Sequence, residues 1–238
     1  MDDLKTLPPL LLRFSSEERL HDLKAGNITF TPVSKYRDDF YTHYGDKNEG
    51  GIPININMPI SYGGVVLPKP VSGMQFAQND NVFAFCASCI TEEVVEGNSI
   101  NGYSLTNAFI NKMKEFGTHC LLFDSTELIN KLRILQSAYI PKFGLVSGKI
   151  IYRDLNDFNV DNLKAAYQYT GNNSDRYFVK SNDYIQENEW RLIIGGSEEP
   201  LVSNNCWGGY SLSIGKLDYA FVLESSKLNT FKMKPPSV

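Results

Sequence analysis

The sequence has neither an excess of positive charge nor a long apolar run. Its 238 residues include 23 Lys and Arg against 27 Asp and Glu, a net charge of -4. A strongly cationic surface for non-specific nucleic-acid binding is therefore not expected. No apolar run approaches the roughly 20 residues that cross a bilayer, and the short run Leu7–Leu12 is interrupted by prolines. We expect neither a membrane-spanning segment nor a secretory signal.

Cysteine is also scarce. The four cysteines include Cys86 and Cys89 in one strand-like segment and indicate no disulfide framework. A zinc site built on this pair would need further ligands. His119 and Cys120 are the only candidates, and their neighbours indicate a buried strand. We therefore expect a reducing, cytoplasmic environment and no metal site.

Aromatic residues, in contrast, make up 12% of the chain, with 13 Tyr and 14 Phe. No repeat, low-complexity segment or Gly/Ser linker divides the sequence, which predicts a single domain over residues 1–238. Residues 41–80 are rich in Gly, Pro, Asn and Tyr and have little periodicity. They are expected to form a long loop insertion that borders or covers a site.

Local patterns predict helices and strands in mixed order. Ser15 and Glu18 form a capping-box pattern for a helix that ends at Gly26, and Ser104 is the predicted cap of a later helix. The predicted strands are 27–33, 82–88, 119–123, 148–152, 184–194 and 218–223, and the further predicted helices are 104–116, 125–136 and 161–167. This mixture predicts an α+β fold with a mixed or mostly antiparallel sheet.

The most informative segment is Tyr184–Ile194. If it is a strand throughout, alternation places Glu187, Glu189 and Arg191 on one face. Trp190 and its apolar neighbours then form the opposite, core face. The charged face has two interpretations: a solvated surface with ion pairs worth about 0–1 kcal/mol, or a functional site.

Three short motifs resemble those of mono-ADP-ribosyltransferases. Glu187-Asn-Glu189 is similar to the E-x-E motif near the C-terminal end of that family. The Leu-Leu-Arg-Phe run around Arg13 resembles the family's early strand with Arg or His. The segment Phe30–Ser34, with Tyr36, resembles its central Ser/Thr or Tyr element.

The chain is also similar, over nearly its whole length, to a bacterial family of unassigned function. That pattern has an early strand in which Arg or Lys precedes an aromatic residue. It continues with an aromatic-(Asn/Arg)-Asp segment, here Tyr36–Asp38. It ends in a late Lys followed by E-x-E-x-Arg, here Lys180 and the residues from Glu187 to Arg191.

The resemblance to the transferases implies a split-sheet fold and an enzyme that uses NAD as substrate. The ADP-ribose would be transferred to a macromolecular acceptor, which could be a protein, RNA or DNA. The resemblance further implies a toxin or defence effector, and a toxin implies an antitoxin protein that restrains it.

The same resemblance implies roles for individual residues. Glu189 would stabilise the positive charge that develops on the ribose, as in glycoside cleavage, and Glu187 would orient or deprotonate the acceptor nucleophile. Arg191 would brace the strand. The implied NAD-binding residues are Arg13 on the diphosphate or ribose, Tyr36 on the nicotinamide ring, Ser34 and Phe30. Candidate aromatic walls for a planar ligand are Phe14, Phe30, Tyr36, Tyr41, Tyr44, Tyr62 and Tyr184.

Two other functions remain open at this point. One is a non-enzymatic module that binds a ligand or partner through residues 41–80. The other is a metal-dependent nuclease or hydrolase in which Glu187, Glu189 and Asp38 surround a divalent cation.

Overall fold

The computed structural model describes residues 10–38, 52–55, 61–62, 65–66, 72–74, 81–98, 102–138, 142–154, 174–196 and 199–233. The short strands between 52 and 74, and residues 37, 38 and 98, are described by their backbone alone. The predicted helix 161–167 lies outside the described residues. Of the predicted loop 41–80, only those short strands are described.

The secondary structure within these ranges is mixed. Its strands are β1 (Leu10–Ser15), β2 (Asn27–Pro32), β3 (Ile52–Asn55), β4 (Ser61–Tyr62), β5 (Val65–Val66), β6 (Ser72–Met74), β7 (Val82–Cys89), β8 (Val95–Asn98), β9 (Gly102–Leu105), β10 (His119–Asp124), β11 (Phe143–Lys149), β12 (Ile151–Arg153), β13 (Val179–Ser181), β14 (Glu189–Gly196), β15 (Tyr210–Ser213) and β16 (Ala220–Glu224). Its α-helices are α1 (Glu17–Lys24), α2 (Val33–Asp38), α3 (Asn107–Met113) and α4 (Ser125–Ala138), and its 3₁₀ helices are Glu92–Val94, Lys114–Phe116, Ser174–Phe178, Asn182–Glu187 and Ser225–Thr230. None of the described helices is both long and apolar enough to cross a bilayer.

The chain divides into two compact units. The first unit comprises residues 1–32, 81–149 and 186–238, and the second comprises residues 33–80 and 150–185. The second unit contains α2, the antiparallel pairs β3–β6 and β4–β5, and the parallel pair β12–β13. The single domain predicted over the whole chain stays a prediction beside this division.

The first unit is built on an eight-stranded sheet. Its main path is β11-β14-β7-β1-β10-β16, with β2 also paired to β7 and β15 paired to β2. All of these pairs are antiparallel. The predicted α+β class with a mostly antiparallel sheet is therefore confirmed.

Strand β7 is the point at which this sheet divides. It pairs with β14 along one edge, whereas β1 and β2 share its other edge. On the shared edge, Leu12 of β1 is opposite Ser88, and Thr31 of β2 is opposite Ala84. Cys86 lies between these two registers, where neither β1 nor β2 pairs with it.

Alternation along the strands gives the sheet two apolar faces. On one face, Leu121 and Trp190 pack in a cluster with Leu20 of α1. On the other face, Leu12 packs in a second cluster with Phe109 of α3. Full burial of a large apolar side chain is worth about 1.5–3 kcal/mol. Packing on both faces fixes the register of the central strands. A slip of one residue would move every side chain of a strand to the opposite face and out of its apolar cluster.

Two helix starts differ from the prediction. Ser15 closes β1 opposite His119, so Ser16 is the residue that precedes α1, and its side chain makes no capping hydrogen bond. The capping box predicted at Ser15 is thus wrong, because pairing of the strand holds that residue in extended backbone. Likewise Ser104 belongs to β9, and α3 is capped by Thr106, whose side chain accepts the Phe109 N–H at 3.4 Å.

Gly26 ends the α1 segment, as predicted, and its position requires glycine. Its φ is +103°, and a Cβ at this position would overlap the backbone of Gly215. Gly208 has a φ of +76° but no atom within 4 Å of an added Cβ. A substitution of Gly208 therefore tests the cost of the backbone conformation alone, whereas a substitution of Gly26 adds the cost of the steric overlap.

We expect Gly208→Ala to lower the free energy of unfolding by about 1–2 kcal/mol, the cost of the left-handed conformation for a residue with a Cβ. Gly26→Ala should lower it by more, because the Gly215 backbone must also move. Urea unfolding followed by circular dichroism measures both variants. Equal losses would show that the Gly215 contact contributes nothing.

Candidate functional site

The segment with the two glutamates is a strand only from Glu189 onward. Glu187 is the last residue of a 3₁₀ helix, and Asn188 between them has a φ of +42°. The Asn188 amide nitrogen donates to the Cys89 carbonyl at 3.0 Å and to the Thr91 hydroxyl at 2.7 Å. The prediction that Glu187 shares a strand face with Glu189 is therefore wrong, because this turn interrupts the alternation.

Glu189 and Arg191 do share a face of β14, and they form a forked ion pair. The Arg191 Nε lies 2.5 Å from one carboxylate oxygen of Glu189, and its Nη2 lies 3.3 Å from the other. Only 7% of the Glu189 side chain and 3% of the Arg191 side chain are exposed. A solvated strand face is thus excluded for this pair, and the carboxylate is held by two charge-assisted hydrogen bonds.

The neighbouring strand adds a thiol to this pair. Cys86 of β7 is directly opposite Arg191, and its side chain hydrogen-bonds Glu189. Burial raises the pKa of the Cys86 thiol to about 12, and the negative charge of Glu189 adds to the increase, against the guanidinium groups of Arg191 and Arg13. Since the thiol stays protonated, it is the donor and the Glu189 carboxylate is the acceptor.

Arg13 reaches the same residue from β1. Its Nη1 donates to the backbone carbonyl of Cys86, and its guanidinium carbon lies 5.3 Å from the centre of the Phe85 ring. Alternation places Arg13 on the face of Leu11, whereas Glu189 projects from the opposite face. The structure therefore brings both predicted residues to Cys86, one to its carbonyl and the other to its thiol.

The predicted NAD-binding residues of the second motif are not all at a surface. Phe30 has no exposed area, and its ring packs edge-on against Phe85 with the centroids 6.3 Å apart. A ring enclosed in this way cannot stack on a ligand, so its predicted binding role is wrong. Ser34 and Tyr36 are half-buried residues of α2, in the second unit, and their approach to Arg13 stays a prediction.

Two of the described aromatic residues near the motifs belong to the core. Phe14 is buried in the second apolar cluster, and Trp190 is wholly buried in the first. Tyr184 is half-buried, and the Lys180 ammonium lies 4.3 Å from the centre of its ring. The remaining predicted walls, whose side chains lie outside the described residues, are Tyr41, Tyr44 and Tyr62.

Metal ligands are not grouped in the described part of the chain. There, no three His, Cys, Asp or Glu side chains are close enough to hold a metal ion. The side chain of Asp38, proposed as a third carboxylate beside Glu187 and Glu189, lies outside the described residues.

Sequence reasoning did not identify Cys86 or Asn188 as residues of this site. Cys86 stands in an apolar run whose pattern indicates only a buried strand, and its acceptor lies on a distant part of the chain. Asn188 carried a local signal, since Asn tolerates the left-handed region better than most residues. That signal could have separated Glu187 from the strand.

No protein-family model, no curated protein and no solved structure matches this chain. Its function is therefore inferred from the contacts of the described residues, together with the resemblance of its short motifs.

The buried ion pair leads to a stability prediction. We expect Arg191→Met to lower the free energy of unfolding by about 3–5 kcal/mol, because it leaves the Glu189 carboxylate buried without its guanidinium. The matched control is Lys149→Met, whose ammonium lies 3.4 Å from Glu93 with 39% and 68% of the side chains exposed. Its loss should stay below about 1 kcal/mol. Similar losses in urea unfolding would contradict the burial of the Arg191 pair.

The cysteines give a second prediction. Burial raises the pKa of Cys86, Cys89 and Cys120 to about 12 each, whereas Cys206 is exposed. Because the thiolate is the reactive form, iodoacetamide at about pH 8 should modify Cys206 in the native protein and leave the other three intact. Peptide mass mapping before and after unfolding measures this order. Modification of Cys86 as fast as Cys206 would contradict it.

Proposed function

We propose that this chain is an ADP-ribosyltransferase that cleaves NAD and transfers ADP-ribose to a protein or nucleic-acid acceptor. The observation that carries the proposal is the Glu189 carboxylate, which is buried on a central strand and fixed by the forked contact with Arg191. It is the second glutamate of the E-x-E segment that resembles the transferase motif.

The reaction requires a carboxylate of this kind. Breaking the bond between nicotinamide and ribose leaves an oxocarbenium-like carbon, as in glycoside cleavage. An acceptor nucleophile then bonds to that carbon and loses a proton. A carboxylate held in place where the charge develops is worth about 3–4 kcal/mol, since it need not reorganise during the reaction. In this proposal Glu189 stabilises the ribose, and Glu187 orients the acceptor or takes its proton.

The resemblance of the first motif implies that Arg13 binds the diphosphate or ribose of NAD, from the face of the sheet opposite to Glu189. A guanidinium carries several N–H donors in a fixed fork, so the bond to the Cys86 carbonyl does not saturate it. The resemblance of the second motif alone implies that Tyr36 stacks on the nicotinamide and that Ser34 also contacts NAD. Phe30 is not part of the proposed site, because its side chain is enclosed in the core.

The biological setting of the proposal comes from the resemblance of the motifs. It is a cytoplasmic toxin or defence effector, and as a toxin it would be restrained by an antitoxin protein. The net charge of -4 favours an acceptor recognised by local contacts over a tight, non-specific hold on nucleic acid.

A non-enzymatic binding module is the second candidate, and one observation favours it. Arg13 and Glu189 both have partners within the protein, so each has a structural role that requires no substrate. Thermal unfolding with and without NAD bears on this candidate, because a ligand that binds only the folded state raises the melting temperature. A melting temperature unchanged by millimolar NAD would favour the module.

The decisive prediction concerns Glu189. We expect Glu189→Gln to reduce NAD cleavage, followed as nicotinamide release, by about 100- to 1,000-fold, because the amide keeps the size of the side chain but removes its charge. The control is Glu93→Gln at an exposed glutamate, which should leave the rate unchanged. Equal rates for the wild type and Glu189→Gln, at equal melting temperatures, would overturn the transferase proposal.

A further inference from the structure

Cys86 contacts both charged groups of the candidate site through different atoms. Its backbone carbonyl accepts the Arg13 guanidinium, and its thiol hydrogen-bonds the Glu189 carboxylate. Its pairing opposite Arg191 fixes the place of the thiol on the sheet. Cys86 is therefore in contact with both Arg13 of β1 and Glu189 of β14.

The thiol is a donor to the carboxylate from a second strand. Arg191 approaches both oxygens of Glu189 from the same strand, and Cys86 approaches from the neighbouring strand. Donors from two strands restrict rotation of the carboxylate more than donors from one strand.

Another residue on the same face of β7 is an alanine. Ala84 lies two residues before Cys86 and is buried. An alanine at position 86 would keep the strand and the carbonyl that Arg13 contacts, but it would remove the donor to Glu189.

We propose that Cys86 is a positioning residue, whose thiol proton and the Arg191 guanidinium together hold the Glu189 carboxylate in one orientation for the reaction. This inference rests on the proposed function. The thiol stays protonated because burial and the charge of Glu189 outweigh the guanidinium groups of Arg191 and Arg13.

The first test compares Cys86→Ala with Cys86→Ser, which keeps a donor of similar size. We expect Cys86→Ala to lower kcat for NAD cleavage roughly 10- to 100-fold, with KM for NAD changed by less than about twofold, because small displacements of a catalytic group cost about this much. Cys86→Ser should restore most of kcat.

The second test measures the contact without activity. In a Cys206→Ser background, alkylation of Cys86 is followed at about pH 10 by mass spectrometry. Adding Glu189→Gln should speed this alkylation several-fold, because the negative charge of Glu189 disfavours the Cys86 thiolate. Glu93→Gln serves as the control and should leave the rate unchanged. This alkylation experiment does not use Cys86→Ala, so its result does not depend on whether that variant folds.

The outcomes separate the two proposals. A wild-type protein that does not cleave NAD overturns the transferase proposal and this inference together. If the wild type is active and Glu189→Gln is not, an unchanged kcat in Cys86→Ala overturns the role of Cys86 alone. An alkylation rate that is unaffected by Glu189→Gln also overturns it.

Discussion

The backbone of β7 imposes the constraint on which the candidate site depends. This strand is covered on both faces of the sheet, and its buried carbonyl groups need hydrogen-bond partners. One edge is paired to β14, but the other edge is divided between β1 and β2, which leaves the carbonyl of Cys86 between them. Arg13 donates to that carbonyl. This contact is partly buried, and through it Arg13 supplies a partner to a carbonyl that neither β1 nor β2 pairs.

Stability alone does not explain the charged pair Glu189 and Arg191 beside Cys86. A buried ion pair such as Glu189 and Arg191 loses much of its hydration, and its replacement by apolar residues is often neutral or stabilising. Their two side chains are nevertheless almost fully enclosed. A desolvated carboxylate with a fixed orientation is costly for a strand but suited to stabilising a developing cation. That contrast is the physical argument for the chemical role proposed for Glu189.

Local pattern was a reliable guide where a segment's own burial decides its structure. The apolar runs of β7 and β10 and the helix from Ser125 were all predicted near their observed bounds. The predictions that are wrong concern residues whose backbone conformation is set by contacts with another element. Ser15 has the composition of a helix cap but is held opposite His119. Glu187 has the spacing of a strand residue but is separated from β14 by the turn at Asn188, which is anchored to the end of β7.

The sequence by itself determined the α+β class, the positions of β2, β7, β10 and β16, and the core face of β14 that carries Trp190, because side-chain alternation is a property of each strand alone. It could not determine that Glu189 is enclosed, that Cys86 is its donor, or that the partner of Arg13 is a backbone carbonyl. Those contacts join β1, β7 and β14, which come from three distant parts of the chain. Only the tertiary structure decided them, since hydrogen-bond partners across a sheet follow from strand order and register.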